Sequence, residues 1–323
     1  RICYPGLIER HGSWLLEHSI ATNTKRIYRT GIARWETFCR DHCFNPYPAT
    51  EQQLFLFVAK LSVDACAFST ARTYLSAIAY AHTLRALPLD ISSLSRVQRA
   101  LCGLRHTAVS LGTRLPITIQ VLKLVYDGVA TSHMNMFNQH CLWACCSLAF
   151  FGFFRIGELL PTPANNHILS SDLAVHPTSG LHMVLRRSKT DTFGSGRLIS
   201  INPVSSKLCP VRAMGAYFPH RLARFAPGAI FILSDGSLLT PTKFNVFLKD
   251  IIARIGLDPK RYSSHSFRAG AATTAAEAGL PDWLIKSLGR WSSAAYQIYI
   301  STPPSLLAKV PQQLCNLLEH SPA

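Results

Sequence analysis

In the stretch "HSFRAG", His265 and Arg268 stand three residues apart. With Ser263 or Ser264 as the N-cap, both fall in the first turns of a helix, one above the other on a single face. Each side chain donates hydrogen bonds to anions, and the N–H groups of a helix end add positive partial charge. Three other segments carry groups of matching chemistry. Arg155 in "FFGFFRIGELL" follows a strongly apolar run, and Glu158, three residues on, is placed to hold its guanidinium. A purely structural ion pair accounts for the same two residues. Lys189 lies in "RRSKTDTFGSG", where an ammonium either hands a proton to a departing oxygen or sits in solvent. Tyr299 lies in "LGRWSSAAYQIYI" with Tyr296 as its rival, and core packing is the plainer role for either phenol.

Groups so far apart in the chain need a scaffold to meet. At 323 residues the chain suits two domains of roughly 100 to 200 residues each. Lys and Arg number 33 against 17 Asp and Glu, for a net charge of +16. The excess is spread along the chain, so the natural partner is a polyanion, held by counterion release in a salt-dependent way. No segment approaches the roughly 18 uninterrupted apolar residues of a membrane span. Leu142 to Phe154 runs straight into Arg155 and Glu158 and reads as a buried helix. The chain begins at Arg1 without an apolar leader, which reads as a fragment and gives secretion no support. Its ten cysteines are scattered, mostly within apolar helical patterns, and read as reduced core residues. Cys39 and Cys43 bracket three residues and Cys145 adjoins Cys146, but no second pair at zinc-site spacing completes either group. No cofactor or metal is expected.

From Ile20 to Leu104 the apolar spacing is helical. Thr22 is placed to cap a helix with Tyr28, Ile32, Trp35 and Cys39 on one stripe. Thr50 and Gln53 form a capping box before Leu54, Phe57, Val58 and Leu61. Ser69 opens a third helix through Tyr74, Ile78 and Ala81, and a fourth runs through Val97, Leu101 and Leu104. Four helices with short links predict a bundle over residues 1–106. Lys25, Arg26, Arg29 and Arg72 lie near helix starts, where an anionic ligand would relieve their opposition to the helix dipole, or they form a solvated face. Residues 107–116, "TAVSLGTRLP", lose the periodicity and read as a linker.

Residues 117–300 predict a mainly α region with one small antiparallel sheet. Helices are expected from Thr118, about Asn135, Pro210, Pro241, Ser264 and Pro281. In "LHMVLRRSK", Leu181, Met183 and Leu185 alternate with polar positions, and "RLISIN" resumes the alternation with Leu198, Ile199 and Ile201. Two strands around a glycine-containing loop make a hairpin. The "FGSG" glycines belong to that loop, since no helix-opening "GK[ST]" follows them. In residues 301–323 the leucine spacing suits an amphipathic helix, for which folding back on its own domain is the plainer role.

The order Arg155, Lys189, His265, Arg268, Tyr299, together with "FRIGELL", "SKTDTFGSG", "HSFRAGAATTAAEAGLPDWLIKSLGRWSSAAYQIYI", "TNTKRIYRTGIARWETFC" and "STARTYLSAI", resembles the tyrosine recombinase, phage-integrase-like superfamily. Within it the phrases are most similar to recombinases of eukaryotic DIRS-like and Crypton-like mobile elements. The likeness spans nearly the whole chain and is most specific from His265 to Tyr299. It implies an N-terminal core-binding, SAM-like helical domain, an α+β catalytic domain and a site-specific DNA recombinase that cuts and rejoins strands through a 3′-phosphotyrosine link. Tyr299 would be the nucleophile, Arg155 and Arg268 would bind the non-bridging oxygens, His265 would assist proton removal and Lys189 would protonate the leaving 5′-oxygen. The chemistry makes the residue types intelligible. Attack on a phosphodiester builds negative charge that fixed guanidiniums stabilise, and a phenol with a pKa near ~10 is a poor nucleophile until nearby cations favour its anion. The covalent link keeps the bond energy, so resealing requires neither ATP nor metal.

The family places a histidine or tryptophan nine residues before its tyrosine, just after a glycine. That count from Tyr299 reaches Arg290, after Gly289, whereas from Tyr296 it reaches Ser287; it favours Tyr299. Arg290 departs from the pattern, and either its guanidinium or the indole of Trp291 could meet the phosphate. The resemblance further implies double-stranded DNA as partner, a homotetramer on that DNA joined through the C-terminal tails, and, for a eukaryotic element, a nuclear location. A binder that has lost catalysis and a helical scaffold with no DNA role are the alternatives.

Overall fold

Apolar residues at helical spacing dominate the first hundred positions, and in the computed structural model they close into a helical bundle. The structure describes residues 5–107, 114–163, 167–186 and 196–299, with Pro5, Ala295 and Tyr299 described by their backbone alone. The chain divides into two units, Arg1–Leu111 and Gly112–Ala323. Among the described residues no helix is long and apolar enough to cross a membrane.

The first unit holds α1 (Pro5–His18), α2 (Thr22–Asp41), α3 (Glu51–Val63), α4 (Phe68–Thr83), a 3₁₀ turn at Ile91–Ser93 and α5 (Ser95–Thr107). Trp35, Leu54, Phe57, Leu61, Leu75, Ile78 and Val97 fill its core. The capping box of α3 forms: Thr50 Oγ1 accepts from the Gln53 N–H and Gln53 Oε1 accepts from the Thr50 N–H. Two expected starts shift. Ala21 and Ala67 are the N-caps of α2 and α4, because the N–H groups of Lys25 and Ala71 reach their carbonyls at 3.0 Å, so neither Thr22 nor Ser69 caps a helix. A fifth helix, α1, precedes the expected four. Gly6 and Gly12 interrupt its pattern, and its Leu7, Ile8, Trp14, Leu15 and Leu16 are exposed, so no core stripe announces it.

The second unit begins with α6 (Ile119–Ala130), α7 (Met136–Phe151) and the single turn α8 (Ile156–Leu159). From Cys141 to Phe150 every residue of α7 is buried, so the apolar run is a core helix. A 3₁₀ turn at Ser170–Asp172 leads into β1 (Leu173–His176), β2 (Gly180–Leu185) and β3 (Arg197–Ile201), an antiparallel sheet in that order. The sheet has one strand more than the expected hairpin, since four residues of "LAVH" carry too little alternation to be read alone. Register explains a second departure. Leu198 pairs with Val184 on the exposed face, whereas Ile199 pairs with Met183 on the buried one. Then follow α9 (Pro210–Arg224), α10 (Pro241–Arg254), α11 (His265–Glu277), α12 (Asp282–Leu288) and a 3₁₀ turn, Ala294–Tyr299.

The small residues of α11 have a packing cause. Gly270 faces the backbone of Ile117, whose carbonyl oxygen would lie 1.8 Å from an added Cβ. That strand-like approach is held by Leu115 N–H on Arg261 O and Ile117 N–H on Ser266 O, both 2.8 Å. Gly270→Ala is therefore expected to destabilise the second unit by about 3 kcal/mol, read by thermal or denaturant unfolding. A parent-like stability would show that the approach is not needed.

Cys39, Cys141, Cys145, Cys146 and Cys209 are buried as expected, but Cys43 and Cys102 are exposed, one just past the end of α2 and one off the Leu101–Leu104 stripe of α5.

Candidate active site

The end of α7, the start of α11 and the end of α12 meet at one backbone turn, residues 152–155. Phe153 there has φ +50, a left-handed conformation that a bulky residue holds only when its surroundings over-determine it. Its carbonyl accepts from two guanidiniums, Arg268 at 2.5 Å and Arg290 at 3.1 Å. Residues separated by more than a hundred positions are thereby joined through one oxygen.

Arg155 follows as the N-cap of α8. Its side chain is 20% exposed and donates to Glu158 Oε1 at 2.9 Å, while its backbone N–H donates to Glu158 Oε2 at 2.9 Å. The ion pair expected from the spacing exists, but it is not a closed pair. Arg290 donates to Glu158 Oε2 as well, at 2.9 Å, so one buried carboxylate spans two guanidiniums. Glu158 as a shared hub is what the sequence reading missed; the three-residue spacing from Arg155 was its only signal.

Arg268, on α11, is 3% exposed. Besides Phe153 O it donates to the carbonyl of Gly289, and its guanidinium carbon lies 4.3 Å from the ring centre of Trp291. His265 opens the same helix one turn earlier and is exposed to solvent. Trp291 can lie where it does because Gly289 has no side chain: an added Cβ would fall 1.6 Å from the indole. Arg290 occupies the left-handed position after α12, φ +55, with the N–H of Trp291 closing back on Lys286 O. Its guanidinium also reaches the carbonyls of Gly152 and Leu288 and stacks 4.9 Å from the Phe154 ring. Burial lowers the pKa of Arg290, with Arg155 and Arg197 pushing the same way and Glu158 opposing them. The place is cationic.

Tyr296 packs beneath Trp291, 6% exposed, and its hydroxyl donates to Asp282 at 3.4 Å. Desolvation and then the Asp282 charge raise its pKa, which makes this phenol a poor source of phenolate. Tyr299 ends the 3₁₀ turn that packs on α11. Its side chain, Lys189 and the C-terminal tail lie outside the described residues. Just before Lys189, Arg186 at the end of β2 is pinned to Asp172, Nε to Oδ1 at 2.8 Å. The structure thus gathers Arg155, Arg268, Arg290 and Trp291 around Phe153 and Glu158, with His265 exposed on the helix that carries Arg268. Among the described residues no group of three His, Cys, Asp or Glu side chains is placed to hold a metal ion.

Mainly helical, with a three-stranded antiparallel sheet beside the helices that carry these arginines, the architecture is the tyrosine recombinase catalytic fold. It superposes on the Tn1549 transposon integrase in complex with transposon right end DNA, at a TM-score of 0.64 and 13% identity over 94% of this chain and 97% of that one. It also superposes on a lambda integrase dimer bound to a COC′ core site, at a TM-score of 0.60 and 14% identity over 93% and 77%. In sequence the chain is 26% identical over 270 residues to an integrase/recombinase xerD homolog of Selenomonas ruminantium, covering 81% of this chain and 76% of that protein. No family model matches. Fold and sequence together align the chain with the tyrosine recombinase and integrase superfamily.

Proposed function

We propose that the protein is a site-specific DNA recombinase that cuts and rejoins strands through a covalent 3′-phosphotyrosine link, without metal or ATP. The observation that carries this function is the double anchorage of Arg268, which ties the start of α11 to the turn preceding Arg155 and to the turn leading toward Tyr299. An arginine pair held on rigid elements suits the two non-bridging oxygens of a phosphodiester. The carbonyls that hold Arg268 are neutral acceptors, and a charged phosphate oxygen is the stronger partner for the same fork.

In this mechanism Tyr299 Oη attacks phosphorus, the bond to the 5′-oxygen breaks, and Lys189 supplies the proton that the leaving oxygen takes up. His265, exposed at the first position of α11, accepts or relays the phenolic proton. Arg155 and Arg268 stabilise the charge gathered on the phosphate, each contributing on the order of 3 kcal/mol. Reversal by a 5′-hydroxyl rejoins the strand with the same bonds. The +16 net charge suits a DNA partner. Assembly as a tetramer on DNA through the tails and placement in a nucleus, as in DIRS-like and Crypton-like elements, belong to the same proposal.

A pool of nicked duplexes of randomised sequence tests it. Cleavage next to a nick releases a short strand that cannot return, so an active enzyme accumulates protein–DNA adducts that survive detergent, and their DNA reveals the preferred site. Gel shifts without any adduct would mark a binder that has lost catalysis. Affinity for duplex DNA is also expected to fall about 10³-fold or more between ~50 and ~200 mM salt, measured by fluorescence anisotropy. Salt-insensitive affinity would favour the scaffold.

A further inference from the structure

Arg290 stands where the resembled family has a histidine or tryptophan, and its surroundings give it a different task. It is 8% exposed and donates to Glu158 and to the carbonyls of Gly152, Phe153 and Leu288. Gly152 and Phe153 belong to the turn after α7, Glu158 lies on α8 beside Arg155, and Leu288 ends α12. Glu158 is also the partner of Arg155, and Phe153 O is also the acceptor for Arg268. We propose that Arg290 is a positioning residue: by bridging Glu158 and Phe153 O it clamps the turn after α7 to the turn after α12 and so presents Arg155 and Arg268 to the phosphate, without itself binding it.

The neighbours of Arg290 fit the clamp. Gly289 gives up its side chain to admit Trp291 and lends its carbonyl to Arg268, and Trp291 offers its ring face to the same guanidinium. Each member of "GRW" therefore acts on an arginine or on an arginine's support. A lysine at position 290 would keep the charge but not the planar fork that reaches a carboxylate and a carbonyl together.

The clamp presupposes the strand-cutting function above, and its tests separate the two. On the duplex selected from the pool, Arg290→Met is expected to slow adduct formation about 100-fold, as a displaced catalytic group does, with affinity for that duplex unchanged. Arg290→Lys is expected to recover little of the rate. The double variant Glu158→Gln/Arg290→Met should be no slower than the slower single variant, since both act through one unit. Losses that multiply in the double variant, or a duplex affinity that falls along with the rate in Arg290→Met, would overturn the proposal.

If the parent chain forms no adduct, the strand-cutting function falls, and melting decides the clamp. Arg290→Met or Glu158→Gln alone should lower the melting temperature by about 10 °C, and the double variant should regain part of that loss. Strictly additive losses would mean that Glu158 and Arg290 are not coupled.

Discussion

Tyr299→Phe is expected to bind duplex DNA as the parent chain does and to form no covalent adduct with it. The substitution removes one oxygen and keeps the ring, so only the proposed nucleophile is lost. Deleting an attacking group typically reduces the rate by on the order of 10⁴-fold or more, which places the adduct below detection on a denaturing gel. Tyr296→Phe is the matched control. Its hydroxyl serves Asp282 beneath Trp291, and the raised pKa of that phenol disfavours attack. Adduct formation should survive its loss. An adduct from Tyr299→Phe, or one lost only in Tyr296→Phe, would move the chemistry to the other phenol and break the proposed mechanism.

The next largest effect is expected at Arg268. Arg268→Ala should slow adduct formation by about 10² to 10³-fold at saturating DNA, the loss typical of removing one donor to a charged transition state. Arg268→Lys should remain well below the parent rate, because the three donors of an ammonium spring from one nitrogen and cannot reproduce the planar fork that spans Phe153 O and Gly289 O. Arg268→Ala also takes this donor from the Gly289 carbonyl and leaves Phe153 O to Arg290, so melting curves must accompany the rates. A folded Arg268→Lys that reacts at the parent rate would show that point charge is enough and that the fork has no part in the mechanism.

Much of this arrangement is legible in one dimension because its causes are local. The buried run before Arg155 announces α7, since ten consecutive buried positions need ten residues tolerant of burial. The capping box at Thr50 and Gln53 and the Asn135 cap of α7 depend on groups three residues apart. The alternation of Leu181, Met183 and Leu185 marks β2 because its inner face is wholly buried. Where that locality fails, so does the reading. Helix α1 carries no buried stripe, β1 is a short edge strand defined by its partner, and the outward turn of Leu198 follows from its register opposite Val184.

The candidate site divides in the same way. From the sequence, Arg155, Lys189, His265, Arg268 and Tyr299 are grouped by their resemblance to a tyrosine recombinase, and the demands of a phosphodiester under attack make those residue types intelligible. Only the tertiary structure decided that Arg290 faces Glu158 and that Phe153 O joins two arginines. A guanidinium at the end of a helix looks alike in sequence whether it meets a ligand or a buried carboxylate, and what distinguishes the two is desolvation, which exists only once distant segments have packed around it.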